Sequence, residues 1–285
     1  MTPIPKKETK RVAIQGGFGA FHEIAAMHYF EGEKIEVIPA LTFKDLFKSL
    51  KMNHADLGIM AIENSTAGSI MPNYGLLQES NMTIIGEIYL RIEQNLLALP
   101  GQSVKSIKEV YSHPMAIMQC QEFFNKHTHI LVLESVDTAL SAKEIHDKKL
   151  KGVAAIASKL AAKMYKLEIL EEGIESNNMN YTRFLILSDK HGHQKTSINK
   201  SSLTFSLAHQ IGSLSKILSI LSYYNMNLTK IQSMPILGRD WEYQFYIDVM
   251  FDDYRWYRQS LEAIRPFTSK MEIMGEYSKG KTVVE

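Results

Sequence analysis

Three short segments of the sequence place polar side chains directly beside apolar runs: "IENSTAGSI" (62–70), "YSHPMAI" (111–117) and "NYTRFLIL" (180–187). Runs of this length are typical of buried strands, and hydroxyl, amide and guanidinium groups at a strand end can hydrogen-bond a small ligand. Asn64 and Ser65 have a second interpretation, because such residues commonly cap the helix that follows a strand. Helix caps and anion sites use the same backbone amides, so the two interpretations are compatible.

These segments do not match the usual patterns of hydrolases, metalloenzymes or nucleotide-binding proteins. Ser112 and His113 are adjacent, and successive side chains of an extended segment point apart, which disfavours a nucleophile and its base. The sequence contains no Gly-x-Ser-x-Gly turn, and its paired histidines lack the spacing of a zinc site. The glycines of "QGGFGAF" (15–21) do not complete a dinucleotide fingerprint, although a phosphate-cradling role for them stays open.

Composition restricts the class of partner. The chain has 285 residues, with 32 Lys plus Arg against 31 Asp plus Glu, so it has no excess charge for binding nucleic acid or an acidic membrane. Its single cysteine, Cys120, cannot form an internal disulfide, and "MTPIPKKETK" lacks the apolar core of a signal peptide. We expect a soluble cytoplasmic protein that acts on a small molecule, without nucleic-acid or membrane partners.

Strand-length apolar runs alternate with amphipathic helical patterns up to about residue 190, which predicts an α/β fold. Ligands of such sheets bind beyond the carboxyl ends of the strands, where the polar segments would lie. After a polar stretch, the order changes to strand, helix, strand, strand, helix, strand. This order predicts a second, ferredoxin-like βαββαβ domain that begins near residue 200.

The order and spacing of several motifs resemble the prephenate dehydratase family with a C-terminal ACT regulatory domain, over residues 10 to 280. The motifs are "VAIQGGFGAFHEIAA", "GIMAIENSTAGSI", "GEIYLRIEQNLLALPG", "VYSHPMAIMQCQEFF", "AAIASKLAAKMYKLEIL" and "NYTRFLIL". The resemblance implies a two-lobed catalytic region at 10–190, similar to periplasmic binding proteins, with the site between the lobes. Lobe one would comprise about 10–78 and 175–190, and lobe two about 79–174. A linker at 191–201 and an ACT domain at 202–280 would follow.

The implied reaction converts prephenate to phenylpyruvate, with loss of carbon dioxide and water, on the route to phenylalanine. The aromatic ring that forms supplies the driving force, so neither a metal nor a redox cofactor is required. Two alternatives stay open. The enzyme could prefer arogenate, in which an ammonium replaces the ketone of prephenate, or the protein could be a non-catalytic sensor of a small acid.

The family motif assigns Thr182 as the group that donates a proton or hydrogen bond to the departing hydroxyl, with Asn64 and Gln119 acting beside it. Arg183 could pair with a substrate carboxylate or form a structural ion pair at the lobe boundary. The residues expected to contact the substrate are Glu63, Ser65, Ser69, Ser112, His113, Arg183 and Phe184. The backbone amides of 16–20 are expected to contribute as well.

Two regions depart from the family pattern. The usual Gly-Pro-x-Gly-Thr-Phe-Ser loop reads "GGFGAFH" here (16–22), so two hydroxyls are missing, and His22 is either a replacement polar group or an ordinary helix residue. The usual Glu-Ser-Arg-Pro of the ACT domain reads "QSMP" (232–235). ACT domains pair across a two-fold axis, which implies a homodimer or homotetramer.

Phenylalanine is the expected effector of the ACT domain, and a purely structural, dimer-forming domain is the alternative. The residues expected to bind the effector are Gly212, Ser213, Leu214, Asn227, Leu228, Gln232 and Ser233.

Overall fold

The computed structural model describes residues 9–189, 197–236, 238 and 242–284. Its strands are β1 (Lys10–Gln15), β2 (Ile35–Ala40), β3 (Leu57–Asn64), β4 (Gly68–Ser69), β5 (Thr83–Arg91), β6 (Asn95–Ala98), β7 (Glu109–Ser112), β8 (Leu131–Glu134), β9 (Val153–Ala157), β10 (Glu168–Glu171), β11 (Tyr181–Ser188), β12 (Lys200–Ser206), β13 (Asn227–Pro235), β14 (Tyr243–Met250), β15 (Ser269–Tyr277) and β16 (Thr282–Val283). Its α-helices are α1 (Phe21–Tyr29), α2 (Phe43–Lys51), α3 (Met71–Ser80), α4 (Pro114–Gln119), α5 (Gln121–Lys126), α6 (Thr138–Lys148), α7 (Lys159–Met164), α8 (Ser213–Tyr223) and α9 (Tyr254–Ile264). Within the described ranges, no helix has the length and apolar character needed to cross a membrane.

The chain divides into two compact units. The first comprises the chain up to Ser80, Ile88–Ile186 and the last residues from Thr282. The second comprises Asn81–Glu87 and Leu187–Lys281. Residues 191–196 of the predicted linker lie outside the described residues.

The first sheet has the strand order β16-β5-β11-β3-β1-β2, with β4 paired to β3. Strand β1 runs parallel to both β2 and β3. Strand β3 is buried at all but one position, as expected for a parallel strand that is covered on both faces, and this explains its continuous apolar run. A capping box formed by Thr42 and Asp45 begins α2, which places the following Phe43 at the start of that helix.

The second sheet belongs to the first unit and has the strand order β10-β6-β9-β7-β8. Strand β7 is parallel to β8 and β9, whereas β6 is antiparallel to β9 and β10. The predicted α/β class and two-lobed architecture are confirmed. We call the part of the first unit around the first sheet lobe one and the part around the second sheet lobe two.

The chain passes between the two sheets at a different place from the one predicted. Because β5 belongs to the first sheet, the chain enters the second sheet between Arg91 and Asn95 rather than near residue 78. It returns between Glu171 and Tyr181. The stretch "MTIIGEIYLRIEQNLLAL" (82–99) is divided between the two sheets at "RIEQN" (91–95), where polar residues separate its two apolar parts.

The third sheet lies in the second unit and has the order β13-β14-β12-β15, with antiparallel pairing throughout. Helices α8 and α9 bury Ile217 and Leu261 with Leu203 and Phe205 of the central strand β12. The predicted ferredoxin-like βαββαβ order is confirmed.

The second unit also contains a fully buried ion pair. Lys200 Nζ lies 2.9 Å from both carboxylate oxygens of Glu87, and the side chains of the two residues are 2% and 0% exposed. The backbone N–H of Gly280 donates to the same carboxylate at 3.1 Å. Charged groups at such depth are stable only when they are paired and hydrogen-bonded, as these are.

Candidate active site

A cavity of about 280 Å³, large enough for a small organic acid, lies in the first unit at the carboxyl ends of parallel strands. Gln15 ends β1, Asn64 ends β3 and His113 follows β7. The other described residues that line the cavity are Ala20, Phe21, His22, Phe43, Ala61, Ala67, Ile70, Ile92, Gln94, Met115, Ala116, Gln119, Asp137, Thr138, Thr182 and Phe184. The cavity therefore brings all three predicted catalytic residues together.

The orientation of the Asn64 carboxamide is fixed by the backbone. The N–H groups of Thr66 and Ala67 donate to Asn64 Oδ1 at 3.0 and 2.9 Å. A backbone N–H can only donate, so the atom it meets must be the oxygen of the carboxamide. The side-chain oxygen of Asn64 thus caps the turn, and its side-chain nitrogen is available to the site. Capping and a role in the site, the two interpretations of this residue, therefore both apply.

Asn64 in turn fixes the direction of the Thr182 hydroxyl. Asn64 Nδ2 donates to Thr182 Oγ1 at 3.0 Å and to Asn180 Oδ1 at 2.7 Å. Because Thr182 Oγ1 accepts this bond, its own hydrogen must point elsewhere. It has no acceptor among the described residues, and Thr182 lines the cavity, so the hydroxyl is a hydrogen-bond donor for a ligand.

The chain of side-chain hydrogen bonds continues from Asn64 through Asn180 to Gln119. Asn180 Nδ2 donates to Gln119 Oε1 at 3.0 Å, and Gln94 Nε2 donates to the same oxygen at 3.0 Å. Gln119 Nε2 makes its own contacts only at 3.4 Å, which is long for a hydrogen bond. Its N–H groups are therefore a second set of donors that a ligand oxygen can engage.

Strand alternation separates Thr182 from Arg183. Thr182 and Phe184 lie on the face of β11 that lines the cavity, so Arg183 projects from the opposite face. The Arg183 guanidinium lies 5.9 Å from the centre of the Tyr89 ring. This buried side chain is outside the cavity lining.

Four other predicted contact residues also lie outside the cavity lining. Ser112 is fully buried and donates to the Ile156 carbonyl at 2.8 Å. Ser65 Oγ donates to the Met179 carbonyl at 2.8 Å. Glu63 and Ser69 are cross-strand neighbours in β3 and β4.

His113, by contrast, lines the cavity and caps α4. Its Nδ1 accepts from the Met115 N–H at 3.2 Å, and burial lowers the pKa of His113. Ser112 and His113 therefore have separate partners, as expected for neighbouring side chains that point apart.

The glycine loop joins the two lobes instead of presenting free amides. The amides of Gly16, Gly17, Gly19 and Ala20 all donate to protein acceptors: Ala40 O, Asp137 Oδ1, Glu23 Oε2 and Gly17 O, respectively. The expectation that the amides of 16–20 contact a ligand is therefore wrong for these four residues. A β-carbon on Gly19 would lie 2.8 Å from Ala161 Cα, so the close approach of the loop to α7 requires glycine there.

Comparison with known proteins identifies the family. The family model for prephenate dehydratase matches residues 12–192. The chain belongs to the prephenate dehydratase family. Arogenate dehydratase 1 of Petunia hybrida is 36% identical over 99% of this chain and 70% of its own length.

Two solved structures are similar to this chain over most of its length. A prephenate dehydratase from Arthrobacter aurescens in complex with L-Phe is 25% identical, with a TM-score of 0.83 over 94% of this chain and 90% of that one. A protein described as GqqA, a novel type of quorum quenching acylase, is 28% identical, with a TM-score of 0.84 over 95% of this chain and 98% of that one.

In this prephenate dehydratase family member, sequence reasoning missed two residues of the site, Asn180 and Gln94. It left the role of a third, His22, undecided. Asn180 belongs to the motif that carries the resemblance, yet its bridging role depends on two partners that are distant in sequence. Gln94 lies between Glu93 and Asn95, and nothing in the sequence distinguishes its amide from these polar neighbours. His22 lines the cavity although its role was left open.

The predicted effector residues belong to two elements of the second unit, the start of α8 and the strand β13. Gly212 is the N-cap of α8 with φ +78°, and Ser213 and Leu214 form the first turn of that helix. The other four belong to β13: Asn227, Leu228, Gln232 and Ser233.

Exchange of Asn64 for aspartate tests the chain of hydrogen bonds. In Asn64→Asp, one carboxylate oxygen still accepts from the two backbone amides, but the other now faces Thr182 as an acceptor. Thr182 would then donate to this oxygen instead of the ligand, so we expect kcat on prephenate to fall by about 100-fold. Steady-state kinetics checks this, with a thermal melt as the control. A stable variant with normal kcat would contradict the assignment of Thr182 Oγ1 as the acceptor of the hydrogen bond from Asn64.

Proposed function

We propose that the protein is a prephenate dehydratase that converts prephenate to phenylpyruvate in the synthesis of phenylalanine. The observation that carries this proposal is the polarity of the Thr182 hydroxyl, which accepts from Asn64 and is left to donate into the cavity. A donor at this point suits a reaction in which a hydroxyl group must leave a ring.

In the proposed reaction, the bond from the ring to the carboxylate and the bond from the ring to the hydroxyl both break. The electron pair of the first bond becomes part of the aromatic ring, carbon dioxide leaves, and the departing hydroxide takes a proton to become water. Threonine is a weak acid, so Thr182 acts as a hydrogen-bond donor that stabilises the charge developing on the departing oxygen. Asn64 holds the Thr182 oxygen in position while this happens.

The surroundings of the ring favour loss of carbon dioxide. Among the described residues, the cavity lining contains no Lys or Arg, and several apolar residues form its wall, including Phe43, Ala61 and Ile70. A carboxylate is less well solvated there than in water, and this destabilisation is relieved when it leaves as neutral carbon dioxide. Gln119 Nε2 provides the neutral donor that orients it.

Genetic complementation tests the proposed function. Expression of the chain should allow a bacterial strain that lacks its own prephenate dehydratase to grow without added phenylalanine. The Thr182→Val variant, expressed to the same level, is the matched control and should not support growth. Failure of the unaltered, soluble protein to restore growth would count against the proposal.

Acyl transfer, the activity named for the similar acylase, is less well supported by the same geometry. A nucleophilic hydroxyl needs a base that takes its proton, whereas the partner of Thr182 is an amide donor. His22 is a poor base because burial lowers its pKa to about 3. Burial also raises the pKa of the Cys120 thiol, which keeps it protonated.

For the second unit, we propose an ACT regulatory domain that binds phenylalanine and pairs with a second copy. The βαββαβ order, the glycine N-cap of α8 and the L-Phe complex of the Arthrobacter aurescens relative support this proposal. A homodimer or homotetramer in the cytoplasm is the assembly that we expect.

Titration calorimetry checks the expected regulation. Phenylalanine should bind the intact protein more tightly than tyrosine or tryptophan and should lower dehydratase activity by about tenfold, which corresponds to roughly 1.4 kcal/mol of coupling. Gly212→Ala should weaken binding while leaving basal activity unchanged, because a side chain at φ +78° strains the start of α8. Absence of heat with all three amino acids would leave the second unit as an assembly element.

A further inference from the structure

His22 is a buried histidine in the cavity wall, and the proposed reaction gives it no role. It lies in the first turn of α1 and is 9% exposed. Its ring packs edge-on against Phe43 and Phe184, with centroid distances of 5.6 and 4.9 Å. These two contacts hold the imidazole in one orientation beside the cavity.

The hydrogen bond from the backbone determines which ring nitrogen carries the proton. The Ala61 N–H donates to His22 Nε2 at 3.3 Å, so Nε2 must be unprotonated. Burial lowers the pKa of His22 to about 3, so the ring is neutral at physiological pH and its single proton is on Nδ1. Nδ1 has no hydrogen-bond partner among the described residues. His22 therefore offers one neutral N–H donor.

The position of His22 relative to Thr182 indicates which part of a substrate it would meet. Phe184, against which His22 packs, is two residues beyond Thr182 on the same face of β11, or about 7 Å along the strand. In prephenate, the ring hydroxyl and the side chain are attached at opposite corners of the ring. A substrate whose hydroxyl meets Thr182 can therefore extend its side chain along the cavity wall to His22.

The apolar cavity wall around His22 favours a neutral hydrogen-bond acceptor over a charged one. Phe43, Phe184 and Ala61 surround the imidazole with apolar groups, where burying a carboxylate against a neutral donor is costly. The side-chain ketone of prephenate is a neutral acceptor. Arogenate carries an ammonium in the same place, which offers only N–H donors and an unpaired positive charge.

We infer that His22 Nδ1–H donates to the side-chain ketone of prephenate and thereby makes the enzyme prefer prephenate over arogenate. This inference rests on the proposed dehydratase function and selects one of its two candidate substrates. His22 acts in binding, so its loss should raise KM for prephenate much more than it lowers kcat.

Two matched variants test the inference. His22→Phe keeps an aromatic ring between Phe43 and Phe184 but removes both nitrogens, whereas in His22→Gln the carboxamide can accept from Ala61 and still donate into the cavity. The ratio of kcat/KM for prephenate to that for arogenate should fall about tenfold or more in His22→Phe. It should stay within about threefold of the original in His22→Gln. If His22→Phe does not fold, His22→Leu takes its place.

Equal losses on both substrates would show that His22 is only structural and would overturn the inference. If the unaltered protein consumes neither substrate, the dehydratase proposal fails, and calorimetry with phenylpyruvate then tests the ketone contact on its own. Binding about tenfold weaker in His22→Phe than in the unaltered protein would support the contact. Equal affinity, or no binding by either protein, would contradict it.

Discussion

Thr182→Val should lower kcat on prephenate by about 100-fold or more while leaving the fold intact. Valine fills nearly the same volume but has no hydroxyl, so the departing oxygen loses the donor that stabilises its developing charge. Because this interaction strengthens as the C–O bond breaks, the loss should be seen in kcat rather than in KM. Steady-state rates of phenylpyruvate formation provide the measurement.

Thr182→Ser is the matched control for this substitution. Serine retains a hydroxyl that can accept from Asn64 Nδ2 and donate into the cavity, so it should keep a large part of the activity. Comparable thermal melts would show that any loss in Thr182→Val is chemical. A folded Thr182→Val protein with nearly normal kcat would remove Thr182 from the mechanism.

Lys200→Met should destabilise the protein by about 3–5 kcal/mol, the cost typical of removing one partner from a buried ion pair. Methionine roughly matches the length of the lysine stem, but it removes the ammonium that pairs with the buried Glu87 carboxylate. The free energy of unfolding in urea is the quantity to compare. We expect a lower transition midpoint with little change in slope.

The double variant Lys200→Met, Glu87→Leu separates lost charge pairing from lost packing. With both charges replaced by apolar groups, most of the stability should return, because a buried pair is often no better than its hydrophobic replacement. A cost below 1 kcal/mol for Lys200→Met alone would mean that the carboxylate finds another partner or gains access to water.

Local sequence rules were sufficient for the parts of the fold that depend on neighbouring residues. Alternation along "YTRFLILS" places Thr182 and Phe184 on one face of β11 and Arg183 on the other. The apolar run before "IENS" predicted a buried strand, and the structure places Asn64 at the carboxyl end of that strand, β3. Resemblance to the family then supplied the role of Thr182, which composition and periodicity could not.

The rest of the site depends on contacts between residues that are distant in sequence. The direction of the Thr182 hydroxyl follows from Asn64, which lies 118 positions away in the chain. Nothing in the local sequence of Gln94 indicates that its amide meets Gln119. The loop amides of 16–20 were expected to be free because their acceptors, including Asp137 in lobe two, cannot be identified from the loop itself.

The most direct test of the dehydratase assignment is to incubate the purified protein separately with prephenate and with arogenate and to identify the products. We expect phenylpyruvate and carbon dioxide in equal amounts from prephenate, with a smaller kcat/KM for the formation of phenylalanine from arogenate. Folded protein that releases no carbon dioxide from either substrate would contradict the assignment and would favour a non-catalytic sensor of small acids.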